Sequence, residues 1–236
     1  MVQLRQAFMK NDSQFLFVSN NIIKGEFEQL GIPQKRMVIR EERCIDKIGN
    51  PEYERMNLEF SLLTIGMLRK EKRIDYTISE FLKAKMPTWK YYLAGKTVGN
   101  YENVIEKVTT GKDCIIRINE FLDYNKFYQL ILNSHFVVLA DEKQKSCVTN
   151  GTMMEALINY RPIIAPNYEP YRSYIENYGV GIMFNPEIQG DLSRAMKEAE
   201  CKGSVSFCAK IEHFLHTIEF NQVATNLYDQ IYNSKI

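Results

Sequence analysis

The chain has 236 residues, 45% of them hydrophobic and 25% charged, which excludes a disordered, collagen-like or low-complexity protein. Its 30 lysines and arginines against 29 acidic residues give a formal net charge of +1, without the basic excess typical of proteins that bind nucleic acid, so no nucleic-acid partner is expected. The 5 cysteines are scattered and the 3 histidines lack metal-ligand spacing. We therefore predict a reducing, cytoplasmic environment and no metal site.

Short apolar runs alternate with longer segments of helical period, a pattern typical of βα units. In chain order, strands are predicted at 14–19, 36–40, 60–66, 89–95, 114–118, 135–140, 162–166 and 180–184. Helices are predicted at 72–85, 98–110, 123–133, 151–159, 170–178 and 188–200, with one more between the first two strands and two after residue 203. The sequence thus predicts an α/β fold, a Rossmann-like parallel sheet with helices on both faces.

Changes in composition divide the chain into four parts. Residues 46–58 combine glycine, proline and charges without periodicity and are interpreted as a linker. Residues 1–45 hold two strands and one helix, too little for a core of their own, and are interpreted as the end of a larger domain. Residues 59–202 form the main domain, and the helices of 203–236 are expected to pack back on the front segment. No apolar run approaches the ~18 residues of a membrane span, so at most peripheral membrane contact is expected.

One candidate site lies where a predicted helix opens around Asn150 to Thr152, after a strand. The amides and positive dipole end of this helix are expected at the carboxyl edge of the sheet, where they favour phosphate. Glu155 lies three residues after Thr152. Spacing alone favours a capping box, in which Glu155 bonds back to the amide of Thr152. The alternative is that its carboxylate accepts hydrogen bonds from a ribose.

A second candidate site follows the strand that Gly66 ends. Arg69 and Lys72 lie three residues apart in the next turn and could both reach one diphosphate. The alternative is a solvated basic turn. The sequence has no P-loop, no dinucleotide-binding fingerprint and no D-x-D metal anchor. His135, which opens a strand, is interpreted as a packed or edge histidine and not as a catalyst.

Three segments together resemble the carboxyl-terminal, donor-binding half of the retaining GT-B glycosyltransferases called group 1, or family 4. They are 62-LLTIGMLRKEKRID-75, 113-DCIIRINEFLDYNKFYQLILNSHFVVLA-140 and 150-NGTMMEALINYRPIIAPNYEPYRSYIENYGVGIMF-184. The front run, 15-FLFVSNNIIKGEFEQLGIPQKRMVI-39, is similar to the last βαβ unit of the family's amino-terminal domain. The resemblance implies one GT-B half, covering about Phe60 to Glu200, plus a small remnant of the amino-terminal domain.

The resemblance also assigns roles to individual residues. It implies that Arg69 and Lys72 bind the donor diphosphate and that Glu155, the second glutamate of the family's E-x7-E motif, holds the ribose. The remaining implied contacts, to the phosphates, sugar and base, are Thr149, Asn150, Gly151, Thr152, Asn119 and Phe121. The chain departs from the family at two positions, because Met67 replaces an arginine and Cys147 replaces the first glutamate.

By this resemblance, the chain takes part in polysaccharide biosynthesis as a glycosyltransferase that transfers a hexose from a UDP- or GDP-sugar to a glycan or lipid-linked acceptor. The reaction is expected to be retaining, independent of metal and without a further cofactor. Most of the amino-terminal domain would be missing, by truncation or because a separate polypeptide supplies it, so the fragment alone is expected to be inactive. Two alternatives remain: a non-catalytic α/β module that binds a protein partner, and a GT-B sugar-nucleotide epimerase.

Overall fold

The computed structural model describes residues 15–18, 21–39, 45, 59–85, 87–143 and 150–233. The chain divides into two compact units. The first comprises Met1–Ile48, Ser146–Thr149 and Leu215–Ile236, and the second comprises Gly49–Lys145 and Asn150–Phe214. The predicted linker, 46–58, lies outside the described residues.

In the first unit, a helix connects two short parallel strands that pair with each other. β1 (Leu16–Val18) pairs with β2 (Met37–Ile39), and α1 (Asn21–Gln29) connects them. The last helix of the chain, α9 (Phe220–Asn233), contacts β2, and Gln230 Oε1 accepts a hydrogen bond of 3.2 Å from the amide of Ile39.

The second unit is built on a six-stranded parallel sheet. Its strands are β3 (Ser61–Ile65), β4 (Lys90–Ala94), β5 (Ile115–Ile118), β6 (Phe136–Val138), β7 (Ile163–Pro166) and β8 (Gly181–Phe184). They lie in the order β5-β4-β3-β6-β7-β8. All eight predicted strands of the chain are confirmed, each within two residues of its predicted ends. β3 and β6 are buried along their whole length, which is why they appear in the sequence as continuous apolar runs.

Helices cover both faces of this sheet, so the predicted fold class is confirmed. The helices of the second unit are α2 (Ile74–Ala84), α3 (Glu102–Thr109), α4 (Tyr124–Leu132), α5 (Gly151–Ile158), α6 (Tyr171–Tyr178), α7 (Asp191–Lys202) and α8 (Cys208–Ile218). The last residues of α8, from Leu215 on, are assigned to the first unit. Right-handed crossovers place α2 and α3 on one face and α4, α5 and α6 on the other. α7 packs against α2. None of the helices in the described residues combines the length and the apolar composition needed to span a lipid bilayer.

α2 begins two residues later than predicted. Lys70–Lys72 form a 3₁₀ turn, and Arg73 adopts a left-handed conformation with φ 49°. A left-handed residue interrupts a right-handed helix, so Arg73 ends the 3₁₀ turn and precedes the first residue of α2. The basic turn is therefore separate from the helix, which determines where Lys72 points.

His135 is a packed residue, as predicted. Its Nδ1 accepts a hydrogen bond of 3.1 Å from the amide of Ser61, which requires the neutral ring. Burial, and secondarily the positive charge of Arg161, lowers the pKa of His135 below its usual 6.5. Arg161 is fully buried and donates to the carbonyl of Leu132, at the end of α4.

This environment makes folding stability depend on pH. Because the folded-state pKa lies below the unfolded one, the unfolded chain binds the proton first, and stability falls as pH drops below about 6.5. The decrease levels off once pH is below the folded-state pKa. We expect the free energy of unfolding, measured in urea, to decrease more between pH 7.5 and pH 5.5 for the wild type than for His135→Asn. Equal losses would contradict this assignment.

Candidate functional site

The carboxyl ends of β3 and β6 are neighbours at the point where the connections of the sheet diverge. β3 leads through α2 to β4 on one side, whereas β6 leads through α5 to β7 on the other. Since these crossovers run to opposite faces, a crevice opens between the two strand ends, the usual ligand position in sheets of this kind. Residues that follow β3 and β6 are therefore placed to meet a ligand.

Lys72 turns its ammonium group back into this crevice. Nζ lies 3.3 Å from the carbonyl oxygen of Ile65, at the end of β3. It lies 3.9 Å from Asp141 Oδ1, just beyond β6, and only 14% of the lysine side chain is exposed. The alternative of a solvated basic turn therefore does not describe Lys72.

Arg69 has different surroundings. It is exposed, and Nη2 contacts the sulfur of Met67 at 3.4 Å. With Tyr76 and Val98 it lines an open cavity of about 660 Å³, which Glu142, the residue after Asp141, also lines. Three residues would bring two side chains to one side of an α-helix, but Arg69 has an extended backbone, with φ −111° and ψ 164°. The structure therefore places the predicted pair of cations in different environments.

The amino terminus of α5 lies beside the turn that ends β3. A Cβ atom added to Gly66 would be 3.6 Å from Thr152 Oγ1 in the first turn of this helix. Asn150 caps the helix, because its Oδ1 accepts a hydrogen bond of 3.2 Å from the amide of Met153. The first amides of α5 thus belong to the same edge as Lys72.

The predicted capping box is wrong. It required Thr152 to be the cap and Glu155 to be the third helical residue, but α5 begins at Gly151, after Asn150. Glu155 is therefore the fifth residue of the helix, too far along to bond to the capping residue's amide. It is half-buried, and its carbonyl oxygen accepts a hydrogen bond of 2.7 Å from Asn159 Nδ2.

Asp141 contacts both Lys72 and Asn150, the cap of α5. It was not among the site residues predicted from the sequence. It is 8% exposed. Its Oδ2 accepts hydrogen bonds from the hydroxyl of Tyr171 at 2.9 Å and from Asn150 Nδ2 at 3.3 Å, and its carbonyl oxygen accepts one from the hydroxyl of Tyr168. A signal was available, since an acidic residue directly after a buried strand, 136-FVVLAD-141, stands at the ligand edge of a parallel sheet.

The two tyrosines stay protonated at physiological pH. Burial, and then the nearby charge of Asp141, raises the pKa of both Tyr168 and Tyr171 above its usual value of 10.0. Both hydroxyls therefore remain hydrogen-bond donors that hold Asp141 in place.

In the described residues, no three acidic, histidine or cysteine side chains form a cluster suited to a metal ion.

Two glycines allow the ends of β3 and β4 to approach closely. The amide of Gly66 donates to the carbonyl of Ala94 at 3.0 Å. Gly95 has φ 131°, and a Cβ atom there would lie 1.9 Å from the carbonyl oxygen of Gly66. Only glycine fits at Gly95, so the backbone at this edge depends on it.

The predicted base-binding residues lie after β5, at the outer strand of the sheet. The side chain of Asn119 forms hydrogen bonds within the protein. Its Oδ1 accepts one from the amide of Thr97 at 3.1 Å, and its Nδ2 donates to both carboxylate oxygens of Glu102, at 3.1 and 3.2 Å. Phe121 is 78% exposed. Asn119 thus has a positioning role for this loop. Thr149 and Cys147 lie outside the described residues.

No protein-family model and no curated protein sequence matches the chain. Several solved structures do match it. The lipopolysaccharide outer core galactosyltransferase WaaB, in its apo form, is 16% identical with a TM-score of 0.70, over 94% of this chain and 62% of its own. Anabaena HepE in complex with UDP and glucose is 10% identical with a TM-score of 0.72, over 93% of this chain and 63% of its own.

The pneumococcal O-GlcNAc transferase GtfA, in complex with UDP and GlcNAc, is 16% identical with a TM-score of 0.70, over 94% of this chain and 45% of its own. At these identities the likeness shows the fold, and the predicted resemblance to the GT-B glycosyltransferases is confirmed at that level. The chain spans less than two thirds of the length of these proteins.

Proposed function

We propose that the chain is the donor-binding half of a glycosyltransferase that transfers a hexose from a UDP- or GDP-sugar to a glycan or lipid-linked acceptor. The observation that carries this proposal is the position of the Lys72 ammonium, in the crevice between β3 and β6 and beside the start of α5. HepE and GtfA, which share the fold, are both in complex with UDP, which supports a nucleoside diphosphate as the ligand.

In this proposal the chain supplies charge stabilisation without a metal ion. The Lys72 ammonium and the first amides of α5 hold the diphosphate, and they stabilise the charge that develops on it as it leaves the sugar. Glu155 binds the ribose, and the main chain of 118–121 holds the base. The acceptor approaches from an amino-terminal domain, in the same or another polypeptide, and the reaction retains the anomeric configuration.

Calorimetry with UDP and GDP tests the proposal. We expect the folded chain to bind one of them at micromolar to millimolar concentration, equally well with EDTA and with magnesium, and to transfer no sugar by itself. A folded protein that binds neither nucleotide at millimolar concentration would overturn the proposal.

A second candidate function is binding of a protein partner through the first unit. Three aromatic side chains of α9 are largely exposed: Phe220 at 57%, Tyr228 at 66% and Tyr232 at 57%. Exposed aromatic residues are enriched at protein interfaces. Sedimentation distinguishes the two functions, because this one requires a stable complex or dimer that α9 substitutions abolish, together with no affinity for nucleotides.

A further inference from the structure

The two carboxylate oxygens of Asp141 have different surroundings. Oδ2 accepts two hydrogen bonds, from Tyr171 and Asn150. Oδ1 has no hydrogen-bond donor within the described residues, and the Lys72 ammonium, at 3.9 Å, is beyond hydrogen-bond distance. The Asp141 side chain is 12% exposed, and Oδ1 is not among the fully buried polar atoms that lack a partner, so this oxygen can be reached from the crevice. A ligand in the crevice that carries a hydrogen-bond donor can therefore take the place of water at this oxygen.

The position of Oδ1 limits what that ligand can be. A phosphate oxygen bonded to Lys72 Nζ lies about 2.8 Å from it, and therefore within about 7 Å of Oδ1, given the 3.9 Å between Nζ and Oδ1. A phosphate carries the same sign of charge as Asp141 and is repelled at this distance. A neutral hydroxyl group, by contrast, can donate directly to Oδ1.

Nucleotide sugars and free nucleoside diphosphates differ in both respects. In the nucleotide sugar, the terminal phosphate is esterified to the sugar. It therefore has one ionisable oxygen fewer, and the attached sugar ring brings hydroxyl groups. In the free diphosphate, that phosphate has an additional ionisation with a pKa of about 6, so it is more negative at neutral pH. Asp141 therefore favours the first ligand and disfavours the second.

We propose that Asp141 is a specificity-determining residue: its Oδ1 accepts a hydrogen bond from a hydroxyl of the sugar on the terminal phosphate, so that the site prefers the intact nucleotide sugar to the free nucleoside diphosphate. This inference rests on the proposed function. It also assigns Asp141 a part in turnover, because loss of the sugar leaves a more negative diphosphate facing the same carboxylate, which favours its release.

The test compares two ligands in two variants by calorimetry at pH 7.5, with UDP and UDP-glucose, or GDP and GDP-mannose if the wild type prefers guanosine. We expect Asp141→Asn to bind the free diphosphate about tenfold more tightly and the nucleotide sugar no more tightly, so that the preference for the sugar falls about tenfold. Glu142→Gln is the matched control, because it removes the same charge from the next, exposed residue, and it should leave the preference unchanged.

Parallel changes for both ligands in Asp141→Asn would overturn the inference. So would an effect that appears only with magnesium, since Asp141 would then hold a cation.

A measurement on the wild type keeps the test independent of the variant's folding. A methyl ester of UDP, which has the charge of a nucleotide sugar without its hydroxyls, should bind more tightly than UDP and less tightly than UDP-glucose. If UDP binds as tightly as UDP-glucose, the inference is wrong although the proposed function stands; if neither binds, the proposed function fails.

Discussion

Replacement of Lys72 by alanine is expected to weaken binding of UDP about 10- to 100-fold, because a hydrogen bond to a charged group contributes about 1.5–3 kcal/mol and about 1.4 kcal/mol corresponds to a factor of ten. The ammonium is largely shielded from water, with 14% of the side chain exposed, so salt screens it weakly. Uridine lacks the diphosphate, and its weaker binding should be unchanged. Calorimetry with both ligands measures the difference.

Lys70→Ala is the matched control for this substitution. Lys70 lies in the same 3₁₀ turn, and its substitution removes the same charge, but its side chain is exposed and lines the cavity of about 660 Å³. It should weaken UDP binding less than about threefold, as surface charges usually do. Equal losses in the two variants, or an equal loss of uridine binding in Lys72→Ala, would refute a specific contact between Lys72 and the diphosphate.

Replacement of Gly95 by alanine is expected to lower the free energy of unfolding by about 4 kcal/mol, which is a large part of the total stability of a typical domain. The new Cβ atom would lie 1.9 Å from the backbone oxygen of Gly66, so β3 and β4 must separate or bend. In addition, the residue has φ 131°, a region that residues with a side chain avoid. Urea unfolding followed by circular dichroism measures the change.

Gly111→Ala separates the clash from the backbone strain. Gly111 also has a positive φ, of 70°, but a Cβ atom there would have no other atom within 4 Å. It should cost about 1 kcal/mol, the usual cost of a left-handed conformation. If Gly95→Ala destabilises the protein no more than Gly111→Ala, the close approach of the two strand ends does not constrain the fold.

The strands were predictable because burial on both faces leaves a continuous apolar run in the sequence, as in Ser61–Ile65. The helix boundaries were less so. The predicted start at residue 72 was wrong because Arg73 adopts a left-handed conformation, which no local pattern in a mixed charge run indicates. Local periodicity therefore predicted the elements, while individual backbone angles determined where they begin.

Parts of the candidate site depend on contacts that no local pattern contains. Asp141 acquires its importance from the pairing of β6 with β3, which brings it to within 3.9 Å of Lys72, 69 residues earlier in the chain. The capping box failed for a related reason. The spacing of Thr152 and Glu155 fits the motif, but Asn150 also bonds to Tyr171, at 2.9 Å, and this tertiary contact favours Asn150 as the cap.

A crystal structure of the chain with UDP tests the central claim most directly. We expect the terminal phosphate within about 3 Å of Lys72 Nζ, the length of a charge-assisted hydrogen bond, with the first amides of α5 on its other side. A diphosphate bound elsewhere, for example in the cavity that Arg69 and Tyr76 line, with Lys72 still turned toward Asp141, would contradict the account.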